Sequence, residues 1–150
     1  MFSNYAIQEI RLLPLSKEKE FPTWNDVTDY LDHDLPVKYN WKFWYREKGI
    51  DLENTDALIL FQYDAQIVGY GVFKTRVAIE QPPELVRGEL VIYHGYNEFY
   101  PNSVKRIHPI TSQELASIAP DFRRFSRMKK IDLKYLAQIC QLLKQKEIVP

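Results

Sequence analysis

The 150 residues of this chain suit one domain, and 45% hydrophobic with 27% charged residues is the composition of a folded protein rather than a low-complexity one. No apolar run approaches the ~20 residues that a membrane span needs, so no membrane association is expected. The formal net charge of zero argues against a general polyanion binder. The single cysteine, Cys140, excludes an internal disulfide. Without a visible secretory signal, these features predict a cytoplasmic domain with a buried, inert thiol.

Charge is nevertheless distributed unevenly along the chain. Residues 1–60 carry a formal charge of −4, residues 61–100 carry −2, and residues 101–150 carry +6. This asymmetry indicates an anionic partner for the C-terminal third, unless the two ends of the chain pair with each other.

The first third of the chain predicts one strand and two helices. Tyr5–Leu13 alternates as a strand does. Thr23 is a helix N-cap with Asp26 three residues on, and a short helix to about Leu31 should follow. Val37–Lys48 is a second helix candidate, closed by Gly49.

The clearest pattern is a strand–turn–strand unit at Asp56–Val77. Ala57–Phe61 is a continuous apolar run, typical of a strand buried on both faces, and a short polar turn separates it from the β-rich Ile67–Phe73. Gly69 and Gly71 lie two apart and therefore share a face of their strand. They either leave a concavity there or allow a close backbone approach, as at a bulge or barrel corner.

The second half of the chain adds strands and two helices. Glu89–Tyr93 and Ser103–Ile107 read as strands, and Thr111 with Glu114 forms a capping box that opens a helix. Asp132–Lys146 is the longest predicted helix, with an apolar docking face. That face comprises Leu133, Leu136, Ala137, Cys140 and Leu143. The predicted fold is an α+β single domain, 1–150, with a small curved mixed or antiparallel β-barrel and helix 132–146 packed on it.

Aromatic residues are concentrated between Tyr39 and Tyr45. On the predicted helix, Trp41 shares a face with Tyr45, and together with Trp24 this is enough aromatic surface to sandwich a planar ligand. Stacking on such rings is worth roughly 1–3 kcal/mol per base, and the nearby amide of Asn25 could read a base edge. The alternative is that these rings belong to the core, their usual place.

A basic stretch precedes the last helix. Cationic side chains interleaved with Phe125 suit a nucleic-acid backbone and its bases, and two more cations come from the preceding strand region. The alternative is a solvated loop. The residues concerned are Lys105, Arg106, Arg123, Arg124, Arg127, Lys129 and Lys130.

The histidines and carboxylates do not form a recognisable catalytic motif in the sequence. Metal-ligand spacings such as HxxxH, HExxH and CxxC are absent, so neither a metal nor another cofactor is expected. His94 and His108 are separate in sequence, and neither has a nucleophile in view.

The stretch Leu52–Tyr63, followed by Ile67-Val68-Gly69-Tyr70-Gly71-Val72, resembles the core of PUA-like domains, particularly the EVE and ASCH groups. Thr23–Val27 is similar to the tryptophan-containing stretch that EVE domains place before this hairpin. Thr55 stands where those families usually have glycine, and their Ser-Glu-Pro signature is replaced by Leu12-Leu13-Pro14. The resemblance covers about residues 5–77.

The resemblance implies a curved β-barrel that binds nucleic acid and accepts a flipped, often modified, base in an aromatic pocket. Trp24 and Asn25 would line that pocket with Tyr63, and Trp41 would add stacking over a floor at Gly69 and Gly71. The leading hypothesis is therefore a DNA- or RNA-binding module, acting beside a separately encoded nuclease. Two alternatives stay open: an ASCH-like hydrolase or ribonuclease using His94 or His108, and a protein-interaction adaptor of a phage or defence system.

Overall fold

A computed structural model describes residues 5–52, 55–125 and 130–149. It is an α+β structure with a mixed sheet, which confirms the predicted class. The strands are β1 (Glu9–Pro14), β2 (Lys42–Tyr45), β3 (Ala57–Tyr63), β4 (Gln66–Ala78), β5 (Glu84–Val86), β6 (Glu89–Val91), β7 (Gly95–Phe99), β8 (Lys105–Thr111) and β9 (Lys130–Ile131). The helical segments are α1 (Trp24–Asp29), a π-helix (Tyr30–Lys38), α2 (Ser112–Ile118), a 3₁₀ turn (Leu133–Tyr135) and α3 (Leu136–Gln145).

The main sheet contains seven of the described strands, in the order β2-β7-β4-β3-β1-β9, with β8 also paired to β4. Only the β1–β3 pair is parallel among the described pairings of this sheet; the others are antiparallel. The first half of the long strand β4 pairs with β3 and β8, and its second half pairs with β7. The pairings among the described residues do not close the sheet, so the predicted barrel is not confirmed.

The predicted hairpin is confirmed as β3 and β4. Tyr63 pairs with Gln66, and the two turn residues between them, Asp64 and Ala65, have φ of +51° and +60°. Two left-handed residues give the turn the twist that an antiparallel pair requires. Residues Glu53 and Asn54, which belong to the family-like stretch before this hairpin, lie outside the described residues.

Strand β3 is buried on both faces because helices cover the sheet on each side. Ile59 and Phe61 pack with α1 and the π-helix in one apolar cluster. Leu58 and Leu60 point the opposite way, as alternation along a strand requires, and pack with α2 and α3 in a second cluster. The continuous apolar run in the sequence thus reflects two cores that share one strand.

The helix predicted over Val37–Lys48 is wrong. The preceding π-helix ends at Lys38, and the chain then turns through Asn40 and Trp41, whose φ angles are +50° and +67°. Residues Lys42–Tyr45 form β2, which pairs with β7. The aromatic side chains of this segment therefore alternate across a sheet instead of sharing a helix face.

The helix starts are predicted better than the docking face of the last helix. Both capping boxes, at Thr23 and at Thr111, are present. On α3 the fully buried residues are Ile139 and Leu143, while Ala137 is exposed and Cys140 is half-buried. Leu133, 39% exposed, precedes α3 in the 3₁₀ turn. Burial raises the pKa of the Cys140 thiol.

Strand boundaries shift by a few residues from those predicted. The first strand is Glu9–Pro14, the strand predicted from Ser103 runs over Lys105–Thr111, and β7 was not predicted. No helix in the described part of the chain is long and apolar enough to cross a bilayer.

Candidate base-binding cleft

A cleft of about 270 Å³ opens between the helical segment Trp24–Lys38 and the β5–β6 hairpin. The π-helix contributes Tyr30, Asp34 and Lys38, which are spaced by four and therefore lie along one side of it. The wide turn of a π-helix, with bonds such as that from the Tyr39 amide to the Asp34 carbonyl (2.8 Å), is frequently found at functional sites. The opposite wall comes from Glu84–Arg87 of the hairpin.

Three tyrosines provide the aromatic surface of the cleft. The ring centroids of Tyr30 and Tyr39 lie 6.2 Å apart, and Tyr93 also lines the cavity. Tyr30 is fixed edge-on against the core rings of Phe21 and Phe43, at 5.2 and 5.4 Å. Burial, reinforced by the nearby Glu20 carboxylate, raises the pKa of Tyr30 well above its usual range and that of Tyr93 to about 12. Both phenols therefore stay neutral near pH 7 and keep their hydroxyl donors.

An ion pair between Glu20 and Arg46 forms part of the lining. Arg46 Nε lies 3.0 Å from Glu20 Oε1, yet its N–H is not aimed well enough to make a hydrogen bond there. The burial of Glu20 raises its pKa, and Arg46, the strongest opposing influence, does not cancel that rise. This side of the cleft thus presents a carboxylate and a guanidinium next to each other.

Arg87 ties the hairpin to the helical wall. Its guanidinium lies 3.2 Å from Asp26 Oδ1 and also donates a hydrogen bond to the Glu20 carbonyl. Asp26 is itself fixed by the capping box with Thr23, whose backbone N–H donates to it at 2.9 Å. The same bond, followed by that of the Thr23 hydroxyl, lowers the pKa of Asp26.

The lining of the cleft contains more carboxylates than cations. Its lining includes five carboxylates against three cations, and each cation already has a partner: Arg46 with Glu20, Arg87 with Asp26, and Lys38 over the Tyr39 ring at 5.1 Å. Within the described residues, the carboxylates of Asp29, Asp34 and Glu84 take part in no ion pair and accept no hydrogen bond.

An aromatic row leads out of the cleft onto the solvent side of the sheet. The Tyr93 ring lies 6.5 Å from that of Trp44 on β2, which lies 4.9 Å from that of Tyr96 on β7. Lys42 stands over the Tyr96 ring at 5.1 Å. Phe43, between the two outward residues of β2, points into the core.

The residues predicted to line a base pocket are not part of this cleft. Trp24, 39% exposed, has its ring centroid 6.1 Å from that of Tyr63. Tyr63 is buried, and its hydroxyl donates to the Phe21 carbonyl at 2.7 Å. Asn25 is exposed on α1, whereas Trp41 is half-buried against the core. Only the Trp24–Tyr63 contact joins two of the predicted aromatic residues directly.

The glycine face of β4 is covered by protein. A Cβ placed on Gly69 would lie 2.9 Å from the Lys105 carbonyl oxygen, because β8 pairs there. A Cβ on Gly71 would lie 2.8 Å from Val104 Cγ2 and 3.0 Å from Phe99 Cδ1. The sequence predicted either an open concavity or a close approach of neighbouring atoms at these two glycines. The structure shows the close approach.

Those predicted phosphate-binding residues that the structure describes do not form one surface. Lys105 and Arg106 lie on β8, whereas Lys130 lies on β9, beyond β4, β3 and β1 in the sheet. Arg106 pairs with Asp32 at 3.1 Å, and Lys130 pairs with Glu9 at 2.9 Å.

The remaining predicted cations follow α2 or lie outside the described chain. Arg123 is exposed and donates to the Pro120 carbonyl, and Arg124 is exposed beside it. Arg127 and Lys129 lie outside the described residues.

The histidines considered for catalysis are on the surface. His94 Nδ1 lies 3.3 Å from Glu80 Oε1, with both side chains largely exposed. His108 is exposed on β8, and its backbone amide donates to the Lys146 carbonyl. In the described part of the chain, no group of three or more His, Cys, Asp or Glu side chains is placed to hold a metal ion.

The sequence contained a signal for the hairpin wall that was missed. Glu84–Val86 and Glu89–Val91 are both Glu-Leu-Val, and they flank Arg87-Gly88, whose φ angles are +50° and +77°. Two β-type triplets around a two-residue turn containing glycine predict a hairpin. The outward pair on it, Leu85 and Leu90, is 69% and 72% exposed. By contrast, no local pattern points to Glu20, Arg46 or Tyr93 as neighbours.

No protein-family model, no curated protein and no solved structure matches this chain. The resemblance to PUA-like domains therefore stays a prediction, and any functional proposal rests on the geometry above.

Proposed function

We propose that this chain is a PUA-like nucleic-acid-binding module that holds one base in the tyrosine-lined cleft while neighbouring bases stack on Trp44 and Tyr96. The observation that carries the proposal is the aromatic row running from the cleft, through Tyr93, to the solvent side of β2 and β7. A row of rings beside a cavity suits a ligand with several linked planar groups better than a single small molecule.

The size of the cleft fits one planar ring. Its volume of about 270 Å³ lies just below the ~300–1,000 Å³ of pockets that enclose drug-sized molecules. Extruding a base from a stack costs a few kcal/mol. Two stacked neighbours at roughly 1–3 kcal/mol each would offset that cost.

The charges around the cleft predict a moderate electrostatic contribution to the affinity for nucleic acid. Three cations lie in the cleft or on the aromatic row: exposed Lys38 and Arg87 line the cleft, and half-buried Lys42 lies over the Tyr96 ring. With about three phosphate contacts, the logarithm of the affinity for a single strand should fall with the logarithm of salt concentration with a slope of about −2. A steeper slope would indicate that the more distant basic residues take part.

Fluorescence anisotropy with labelled single-stranded DNA and RNA oligonucleotides at low salt tests the proposal. Tyr96→Leu should weaken binding by roughly 1–3 kcal/mol, because one stacking surface is lost. Tyr135→Leu is a matched control. The Lys134 ammonium lies 5.2 Å from the centre of the Tyr135 ring, as Lys42 does over Tyr96, but Tyr135 lies beside α3 and away from the aromatic row. Binding of neither DNA nor RNA by the unaltered protein at low salt would refute the proposal.

A separately encoded nuclease as partner remains part of this proposal. Co-purification with such an enzyme should survive Tyr96→Leu, because the stacking face and a protein contact are separate surfaces in this scheme. Loss of both together would show that the aromatic face binds protein instead.

A further inference from the structure

The hydrogen-bonding inventory of the cleft restricts what can enter it. Carboxylates accept hydrogen bonds and cannot donate them when ionised. Each of the three cations in the lining has a contact within the protein, whereas the carboxylates of Asp34 and Glu84 accept no hydrogen bond and form no close ion pair among the described residues. Each of these two carboxylates can therefore accept a hydrogen bond from a donor that a ligand brings into the cleft.

Asp34 and Glu84 line the cleft from opposite walls. Asp34 is half-buried on the π-helix, and Glu84 belongs to β5. After the Tyr39 hydroxyl, which is the main cause, both carboxylates raise the pKa of Lys38. Lys38 lines the cleft together with both carboxylates.

We infer that the cleft selects bases that carry an exocyclic amino group, with Asp34 and Glu84 as the specificity-determining acceptors. This inference rests on the proposed function. An amino group of cytosine or adenine donates to a carboxylate, whereas the carbonyl that replaces it in uracil or hypoxanthine places an oxygen against that carboxylate. Selection thus combines an attraction for the amino base with a repulsion of the oxo base.

The tyrosine hydroxyls do not remove this preference for amino bases. Tyr30 and Tyr93 remain protonated near pH 7, and each hydroxyl can donate or accept. They can therefore serve either kind of base. The discrimination is left to groups that can only accept, which are the unpaired carboxylates.

The test uses short single strands that are identical except for one central base. Cytosine against uracil and adenine against hypoxanthine both exchange an amino group for a carbonyl oxygen, and both turn the adjacent ring nitrogen from an acceptor into an N–H donor. The affinity should be about tenfold higher for the amino member of each pair, in the lower part of the range for one well-formed base contact. Asp34→Asn and Glu84→Gln should bring the ratio towards one, since an amide can offer either a donor or an acceptor.

Asp121→Asn is the matched control, because it removes the same charge from an exposed residue beside the opposite apolar cluster. Its base preference should equal that of the unaltered protein, and urea unfolding of all variants checks that the fold is kept. If no strand binds, the proposed function fails. If all strands bind equally, only the selectivity is overturned. If the preference persists in both cleft variants, Asp34 and Glu84 are not its source.

Discussion

Tyr93 and Trp44 join two surfaces that lie far apart in the sequence. Their ring centroids are 6.5 Å apart, with Tyr93 in the wall of the cleft and Trp44 on the outward side of β2. The His94 amide donates to the Tyr45 carbonyl at 3.0 Å, which holds the segment after Tyr93 beside the end of β2. A base in the cleft and a base on the sheet could therefore be adjacent nucleotides of one strand.

The raised pKa of Tyr93 predicts a loss of stability at alkaline pH. Its pKa is about 12 in the folded chain against roughly 10 for an unfolded tyrosine. The folded state holds its proton more tightly, so the stabilisation is complete below pH ~10 and is lost as the pH rises towards 12. Tyr93→Phe should make the decline of the unfolding free energy shallower between these values. Urea unfolding at several pH values measures it, and an unchanged slope would contradict the assignment.

The packing around Gly71 predicts a compensating pair of substitutions. A Cβ at Gly71 would lie 2.8 Å from Val104 Cγ2, and Val104 is buried. Gly71→Ala should therefore lower the free energy of unfolding by roughly 1–3 kcal/mol, as overpacking does. Val104→Ala removes the clashing methyl group, so the double variant should be more stable than the sum of the two single losses predicts. Strict additivity in chemical denaturation would show that the space above Gly71 is open.

Local patterns in the sequence predicted those elements that local interactions form. The β3–β4 hairpin follows from an apolar run and a two-residue turn, and the Thr23 and Thr111 capping boxes each lie within four residues. Strand β2 was missed because its four residues are strand-like only when paired with β7, far along the chain. Its density of aromatic residues resembled a helix face until the turn at Asn40 and Trp41 was known.

The cleft could not be predicted from the sequence for a related reason. Tyr39 belongs to the aromatic segment Tyr39–Tyr45, but Tyr93 joins it in the cleft only because the chain returns after the β5–β6 hairpin. Glu20 and Arg46 likewise come from two separate connecting segments, 26 positions apart, that the fold brings together. Residue type and spacing do not predict such long-range contacts.

The left-handed turn of the β3–β4 hairpin predicts a stabilising substitution. Ala65 has φ of +60°, a conformation that costs an L-residue with a Cβ roughly 1–2 kcal/mol. Glycine adopts it freely but loses more entropy on folding, so Ala65→Gly should raise the free energy of unfolding by about 0.5–1 kcal/mol. The same exchange at exposed Ala137 in α3 is the control with the opposite expected sign. Ala137→Gly should lower the free energy of unfolding by about 1 kcal/mol. Equal effects of the two exchanges in urea unfolding would contradict the turn geometry.

Arg87 is predicted to hold the hairpin wall in place. An isolated two-stranded hairpin is marginally stable, and Arg87 joins β5–β6 to Asp26 of α1 and to the Glu20 carbonyl in the turn before α1. Arg87→Ala should accelerate amide hydrogen exchange in β5 and β6 while leaving β3 and β4 protected, because the main core is untouched. Oligonucleotide binding should weaken in parallel, since Glu84 would no longer be held opposite Asp34. Arg123→Ala, which removes an exposed arginine with one backbone contact on the other side of the sheet, should change neither the exchange nor the binding. Faster exchange with undiminished binding would show that the hairpin is not a wall of the site.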